Sequence, residues 1–297
     1  MITTRPDYYD KFKCIADKCT DSCCIGWEID IDPDTLKVYE KEGGALGEKL
    51  KKNTKNGAFV LTEDERCPFL YENGLCELIC KKGEGFLCAI CSEHPRYYEY
   101  CGEHLDMGIG LCCEEACRLL FSGKPLTLIT EGEGELDEET KELLSLRTAL
   151  IDKIQDEDNS LEELFFNLDE DIFEVWADFE PYDNRWTETS AYIKAHFGEL
   201  VSLKDEFNEY IAERSYEYRR LASYLLHRYF MRAVYSAPSV ILRGISLYMK
   251  TQYLWDICVY HKTGKFDYAD RIGTAKYISK QIEYSEENTD LLLMCHL

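Results

Sequence analysis

Apolar residues recur with a helical period through the second half of this chain. Between Arg214 and Tyr235, the residues Leu221, Tyr224, Leu225 and Tyr229 stand at i, i+3, i+4 and i+8, so they share one helix face. Pro238 ends that pattern, because proline cannot donate the backbone hydrogen bond a helix interior needs. A second helix is therefore expected from about Ser239 to Tyr260. Gly264 and the polar residues after it suit a turn before a last helix through Tyr277 and Ile282. The N-terminal part reads differently. Trp27-Glu-Ile-Asp-Ile31 alternates like a short half-buried strand, and Pro68 to Leu78 places Asn73-Gly74 between apolar runs, which predicts a hairpin. Such a hairpin would bring Cys67 and Cys76 close together.

Cysteine usage sharpens the contrast between the halves. Of 15 cysteines, 13 lie in the first 117 residues, opening with Cys14-x4-Cys19-x3-Cys23-Cys24. They continue through Cys67, Cys76, Cys80, Cys88, Cys91, Cys101, Cys112, Cys113 and Cys117. Thiolates crowded together repel one another unless a cation such as zinc or an iron–sulfur cluster neutralises them. The rival account, a secreted disulfide framework, calls for an oxidising compartment and a signal peptide. The N-terminal Met-Ile-Thr-Thr-Arg-Pro-Asp-Tyr-Tyr-Asp lacks the apolar stretch of such a peptide, and adjacent pairs such as Cys23-Cys24 and Cys112-Cys113 cannot close an unstrained bridge. Metal in a cytoplasmic protein is the expectation. Cys258 and Cys295 stand apart and read as ordinary small residues.

These patterns predict a mainly α fold class: a small irregular cysteine-rich metal-binding region with short strands, followed by a helical domain. The expected division is residues 1–125 and 126–297, because the cysteine-rich part ends near Phe121-Ser-Gly-Lys-Pro125 and an acidic stretch, Glu131 to Glu139, follows as a solvated linker or helix entry. The N-terminal region has few large aliphatic residues, so a bound metal is expected to supply much of its folding free energy. Leu126 to Thr130 followed by Glu131-Gly-Glu-Gly-Glu135 has the outline of a strand running into a Gly-rich nucleotide loop. The acidic flank and the absence of further alternating strands and helices make it a plain loop instead.

A net charge of −23 argues against nucleic acid as a partner, since its phosphates would be repelled, and no apolar run reaches membrane-spanning length. The charge suits a basic or lysine-presenting partner, although a soluble acidic surface accounts for most of it. Against this background Arg214, Arg219, Arg220, His227, Arg228, Arg232 and Arg243 form a basic cluster, able to hold a carboxylate or to pair with acidic helices. Of 21 tyrosines, Tyr97, Tyr98 and Tyr100 are the candidates to line a lysine channel, while most of the rest are packing residues. Trp27, beside Cys24, is expected to shield a metal from water. Six scattered histidines suggest no Ser/His/Asp arrangement.

The run Phe12-Lys-Cys-Ile-Ala-Asp-Lys-Cys-Thr-Asp-Ser-Cys-Cys-Ile-Gly-Trp27, with Cys67-Pro-Phe-Leu and Leu75-Cys-Glu-Leu, strongly resembles the flagellin lysine-N-methylase family (FliB). So do Leu87-Cys-Ala-Ile-Cys-Ser-Glu-His-Pro-Arg96 and Leu111-Cys-Cys-Glu-Glu-Ala-Cys-Arg-Leu119. A weaker likeness continues through Tyr229 to Tyr235 and Ser279 to Asn288. The resemblance implies transfer of methyl groups from S-adenosylmethionine to lysine side chains of flagellin in the bacterial cytoplasm, with an iron–sulfur cluster, of the 4Fe-4S kind, implicated. It also implies Cys14, Cys19, Cys23, Cys24, Cys67, Cys76, Cys88, Cys91 and Cys113 as the metal residues, with Cys80, Cys101, Cys112 and Cys117 as additions. Nine thiols exceed the four that one zinc ion or one four-iron cluster needs, so two sites or supporting thiols are both open. Zinc is the alternative metal. His94 stands where the family often has an aromatic residue, and the chain is expected to stop short of the family's C-terminal elements.

The spacing C-x3-C-x2-C of common radical enzymes that use S-adenosylmethionine is absent. Cys19-x3-Cys23, Cys76-x3-Cys80 and Cys113-x3-Cys117 meet Gly26, Gly83 and Leu120 at the third position. Chemistry agrees, because a neutral lysine amine attacks a sulfonium methyl group without radical help. The cysteines alone support a different class equally well, a noncatalytic metal-binding or electron-transfer module carrying a helical interaction domain.

Overall fold

The computed structural model describes residues 1–123, 125–161, 165 and 167–294. Its residues are 59% helical, in 14 α-helices among those described, beside a small sheet of short strands, which agrees with a mainly α chain. The chain separates into two compact units. One gathers Met1–Phe12, Tyr98–Cys112 and the chain from Ala116 onward; the other gathers Lys13–Tyr97 and Cys113–Glu115. We call them the helical unit and the cysteine unit.

The helical unit follows the apolar stripes. Tyr216–Tyr229 forms a helix whose Leu221, Tyr224, Leu225 and Tyr229 are each at most 3% exposed, the four positions that the period selected. Pro238 opens the next helix, Pro238–Thr263, at a position where its missing N–H costs nothing, so the break and the new start are one residue. Gly264, at φ 68°, ends it in the left-handed conformation with its N–H on the Tyr260 carbonyl (2.7 Å). Asp267 then starts Tyr268–Ile282 with a capping box closed by Asp270. A further helix, Glu286–Met294, follows where the sequence pattern gave no separate signal. Gly244 lets it approach closely, since a Cβ there would stand 2.6 Å from the Leu292 carbonyl oxygen. Trp186 and Trp255 stack at 4.7 Å between ring centroids, and Trp176 meets both edge-on.

Six strands occur among the described residues: β1 (Ile2–Pro6), β2 (Thr54–Lys55), β3 (Ala58–Phe59), β4 (Arg96–Cys101), β5 (His104–Ile109) and β6 (Leu128–Gly132). The larger sheet has the order β4-β5-β1-β6. Strand β1 runs parallel to β5, with Ile2 opposite His104, and antiparallel to β6, with Ile2 opposite Gly132. Gly132 sits at φ +93°, and a Cβ there would come within 2.5 Å of the Met1 carbonyl oxygen. The segment read as a plain loop before the acidic run is thus partly strand. Its antiparallel pairing differs from the parallel strand-to-helix step of a dinucleotide fold. Asp137, in the acidic run, accepts the Thr140 N–H and caps the helix Glu138–Gln155.

In the cysteine unit, the strand expected over Trp27–Ile31 is reduced to isolated bridges, Ile25 to Arg66 and Asp30 to Ala58. Its alternation survives as burial, with Ile29 and Ile31 inside and Glu28 and Asp30 outside. Its bridge to Ala58 falls on β3, which is two residues long and too short to sustain a ladder. The Asn73-Gly74 turn forms, with Gly74 at φ +81°, but it closes a single bridge, Leu70 to Cys76, before the helix Glu77–Lys82 begins.

Candidate functional site

Backbone contacts bring distant cysteines of the cysteine unit together. The Cys67 N–H donates to the Cys24 carbonyl (2.8 Å), and the Leu70–Cys76 bridge places Cys76 at the N-cap of Glu77–Lys82. Asp32 caps the helix Pro33–Lys41 through the Thr35 N–H, and its second oxygen accepts the Ala89 N–H, both at 2.9 Å. One carboxylate therefore anchors the segment from Cys88 to Cys91. The Tyr39 hydroxyl donates to the Phe86 carbonyl (2.9 Å) beside it.

Five thiols share one apolar cluster as a result. Cys67 and Cys88 are buried within it, and Cys24, Cys76 and Cys91 pack against it, alongside Ile29, Tyr39, Phe69 and Leu78. The other four cysteines assigned by resemblance, Cys14, Cys19, Cys23 and Cys113, belong to the same unit but lie outside that cluster. Beside them Glu114, 2% exposed, accepts the Thr20 N–H (2.8 Å) and hydroxyl (2.6 Å), and the Cys19 Sγ lies 3.9 Å from the same carboxylate oxygen. Of the cysteines not assigned, Cys80 is exposed on its short helix, while Cys101, Cys112 and Cys117 are buried in the helical unit. Cys258 is buried in Pro238–Thr263, and Cys295 lies outside the described residues.

The thiols perturb one another. A hydrogen bond from the Cys23 thiol draws Cys24 down to about 6, and Cys23, which keeps the proton, is pushed up. Cys91 does the same for Cys88, which falls to about 7 while Cys91 rises. Burial pushes Cys67 up to about 12 and also raises Cys76, and the neighbouring thiols add to both. Thiolates are soft donors that suit zinc or an iron–sulfur cluster. No described cysteine forms a disulfide, and among the described residues no three His, Cys, Asp or Glu side chains converge tightly enough to hold a metal ion. The donor chemistry fits a soft metal, while the described side chains form no closed coordination sphere.

The basic cluster is spent on the fold. Arg214 pairs with Glu217 (2.9 Å), Arg219 donates to the carbonyls of Ile154, Asp156, Glu157 and Asn159, and Arg220 to those of Leu120 and Pro125. Arg228 pairs with Glu283 (2.7 Å), Arg232 with Glu99 and Asp290, and His227 bonds the Met107 carbonyl. Arg243 also has a partner. Of the tyrosines proposed to line a channel, Tyr98 and Tyr100 are exposed and Tyr97 is half-buried; Trp27 is half-buried.

Two buried ionic networks in the helical unit escape a linear reading. Asp256 accepts from Tyr218 (2.7 Å), Thr274 (2.6 Å), Gln252 (2.9 Å) and Arg271, and Arg271 also meets Glu217 (2.9 Å). Asp106 accepts from His104 (2.9 Å) and from both terminal nitrogens of Arg147. Burial would raise Asp106, but Arg147 and His227 hold it well below the usual carboxylate range, and burial lowers His227 to about 4. An acid inside an apolar run, as in Tyr253-Leu-Trp-Asp-Ile-Cys258, is the one sequence signal that could have marked such a network. At the surface, Tyr192, His261 and Glu199 form a chain of contacts (3.2 and 3.5 Å) that no sequence pattern announced.

No protein-family model and no solved structure matches this chain. Three curated proteins do. The flagellar biosynthetic protein FliU of Salmonella muenchen is 29% identical over 125 residues, 39% of this chain and 74% of its own length. A lysine-N-methylase of Salmonella typhimurium and another of Salmonella choleraesuis are each 25% identical over 141 residues, 44% of this chain. The match spans 35% of the length of those two lysine-N-methylases. Over part of their length, the chain is thus similar to proteins named lysine-N-methylase (FliB).

Proposed function

We propose that the chain takes part in methylation of lysine side chains of flagellin, with S-adenosylmethionine as the methyl donor. The observation that carries this reading is the similarity to two proteins named lysine-N-methylase and to one named for flagellar biosynthesis. Methyl transfer is written as a polar displacement. The neutral lysine nitrogen forms its bond to the methyl carbon as the sulfonium carbon–sulfur bond breaks, S-adenosylhomocysteine leaves, and the nitrogen gives up a proton. The chain's part is to hold a deprotonated amine in line with that bond.

A thiol-bound metal belongs to the same proposal, as an iron–sulfur cluster or, alternatively, zinc. Its residues come from Cys14, Cys19, Cys23, Cys24, Cys67, Cys76, Cys88, Cys91 and Cys113, with the five that share the apolar cluster supplying the ligands. The apolar surroundings suit a group kept away from water, in a structural or cofactor-positioning role. The small share of the lysine-N-methylases that is matched favours a second reading, a metal-binding or electron-transfer module without catalysis of its own.

Incubation of anaerobically purified full chain with flagellin and methyl-labelled S-adenosylmethionine tests the proposal. Label recovered on flagellin lysines is the expected result. A protein that binds neither S-adenosylmethionine nor S-adenosylhomocysteine, yet shows a reversible redox potential, would favour the module. Formation of 5′-deoxyadenosine during turnover would replace the polar displacement by a radical one.

A further inference from the structure

The larger sheet ends at β6, which has β1 on one side and no strand on the other. Hydrogen bonds at both ends of that pair fix which way its backbone groups point. The Asp7 N–H donates to the Thr127 carbonyl and the Met1 amino group to the Glu133 carbonyl, both at 2.9 Å. In the antiparallel register that sets Thr4 opposite Thr130, these bonds make Ile129 and Glu131 the residues of β6 that bond β1. Pro6 agrees, since it stands opposite Leu128 and has no N–H to give. Thr4 and Thr130 also bring their hydroxyls to 2.9 Å, as side chains do across a pair without backbone bonds. The N–H and C=O groups of Leu128 and Thr130 therefore face away from the sheet. Among the described residues, no backbone hydrogen bond takes them up.

Such an edge is a template for another strand, and proteins commonly blunt it with lysine, proline or a covering element. The β6 strand, Leu-Ile-Thr-Glu-Gly, contains neither lysine nor proline. Acids follow it instead: Glu133 and Glu135 are exposed just beyond, and Glu138 and Glu139 open the next helix. Two copies of this edge would set those acids against each other, and each chain carries a net charge of −23, so self-pairing is opposed. A basic strand meets the opposite charge.

We propose that the outer edge of β6 pairs with an extended, lysine-bearing segment of a protein substrate, which lies along it as an added strand. Leu128 and Thr130 each offer one donor and one acceptor to the incoming backbone, and Glu133 and Glu135 draw its lysines. The backbone bonds are indifferent to sequence, so the acids supply the preference for a basic segment. That this segment belongs to a methylation substrate rests on the reading above; the edge itself does not.

The test uses the full chain and, as probe, a fluorescein-labelled peptide that alternates lysine with threonine and valine. Binding is followed by fluorescence anisotropy and located by amide hydrogen exchange. Saturable binding is expected, weakening severalfold as salt rises from about 0.05 M to about 0.5 M. Exchange of the Leu128 and Thr130 amides should slow about tenfold or more when the peptide is bound. Thr130→Pro removes one outward donor and spares the bonds to β1, since a strand tolerates proline where its N–H faces solvent. It should weaken binding about tenfold, whereas Thr130→Val should not. A peptide methylated at every backbone nitrogen should lose binding to the wild-type chain, an arm that needs no altered protein. Glu133→Gln combined with Glu135→Gln should reduce the salt dependence. A lysine peptide that does not bind, a methylated peptide that binds equally, or binding that leaves the Leu128 and Thr130 amides exchanging as before overturns the edge pairing. If the pairing holds but flagellin takes no label from S-adenosylmethionine, the methylation reading fails and β6 stands as a docking edge for basic segments.

Discussion

The two units differ in what becomes of their buried ionisable groups. In the helical unit, buried acids meet their own cations: Asp256 has Arg271, Asp106 has Arg147, and Glu283 has Arg228. In the cysteine unit, the buried Glu77 is likewise paired, with Lys49 and Lys81, but five thiols share one apolar cluster in which burial and neighbouring thiols raise Cys67 and Cys91. Buried charge must be paired, or it must neutralise by holding its proton. The helical unit satisfies this rule from its own sequence. The thiol cluster satisfies it by protonation, with Cys67 and Cys76 pushed up, or by taking a cation from outside. The proposed metal would answer that demand in the cysteine unit.

Breaking an internal pair should produce the largest effect. Arg271→Met removes the cation from buried Asp256 and leaves Glu217 to Arg214 alone, and should cost about 3–5 kcal/mol, measured by urea denaturation. Metal or chelator should leave that loss unchanged. A smaller effect comes from pH. The folded chain protonates His227 only near 4, whereas the unfolded chain takes up that proton below about 6.5, so stability is full above 6.5 and declines as pH falls toward 4. The loss reaches about 3 kcal/mol at most, at roughly 1.4 kcal/mol per pKa unit, and His227→Gln should flatten the decline in denaturation curves at pH 7.5, 5.5 and 4.5.

Asp32→Ala sharpens the comparison from the cysteine side. It removes a helix cap worth about 1 kcal/mol and frees the Ala89 N–H, so a modest fall in melting temperature should accompany faster alkylation of Cys88 and Cys91. The smallest effect is expected at Arg232, a partly exposed residue 3.5 Å from Glu99 and 3.6 Å from Asp290. Arg232→Ala should cost less than about 1 kcal/mol. A loss of flagellin methylation without loss of stability in that variant would give the basic cluster a role in binding that its fold contacts do not require.

Legibility in the sequence followed the range of the interactions. Leu221, Tyr224, Leu225 and Tyr229 were readable because a helix buries a face through spacing alone, and Pro238 and Gly264 punctuate the chain through backbone chemistry they carry themselves. The sheet was not readable. Ile2 pairs with His104 and with Gly132, partners more than a hundred residues away that no local pattern marks. Trp27–Ile31 shows the intermediate case, since its alternation correctly separated buried from exposed residues but could not supply the missing partner strand. The cysteine unit also holds more aromatic core than its sparse aliphatic residues suggested: Tyr39 meets Phe59 and Phe86, and Phe59 meets Phe69.

For the candidate site, spacing identified a crowd of thiols but not its division. Cys23 and Cys24 are adjacent in sequence, yet only Cys24 packs on the apolar cluster, because the Cys67 N–H holds its carbonyl in place. Likewise Cys80 lies four residues from Cys76 and remains exposed on the helix. Tertiary contacts, which a linear pattern does not contain, decide which thiols meet.

The most direct measurement is a count of iron, acid-labile sulfide and zinc in anaerobically purified full chain, beside Cys67→Ser, Cys76→Ser and Cys14→Ser. The account predicts one thiol-bound group per chain, lost from the first two variants and kept in the third. Metal-free protein whose thiols all react as free groups would contradict it, because the clustered donors would then need no external cation.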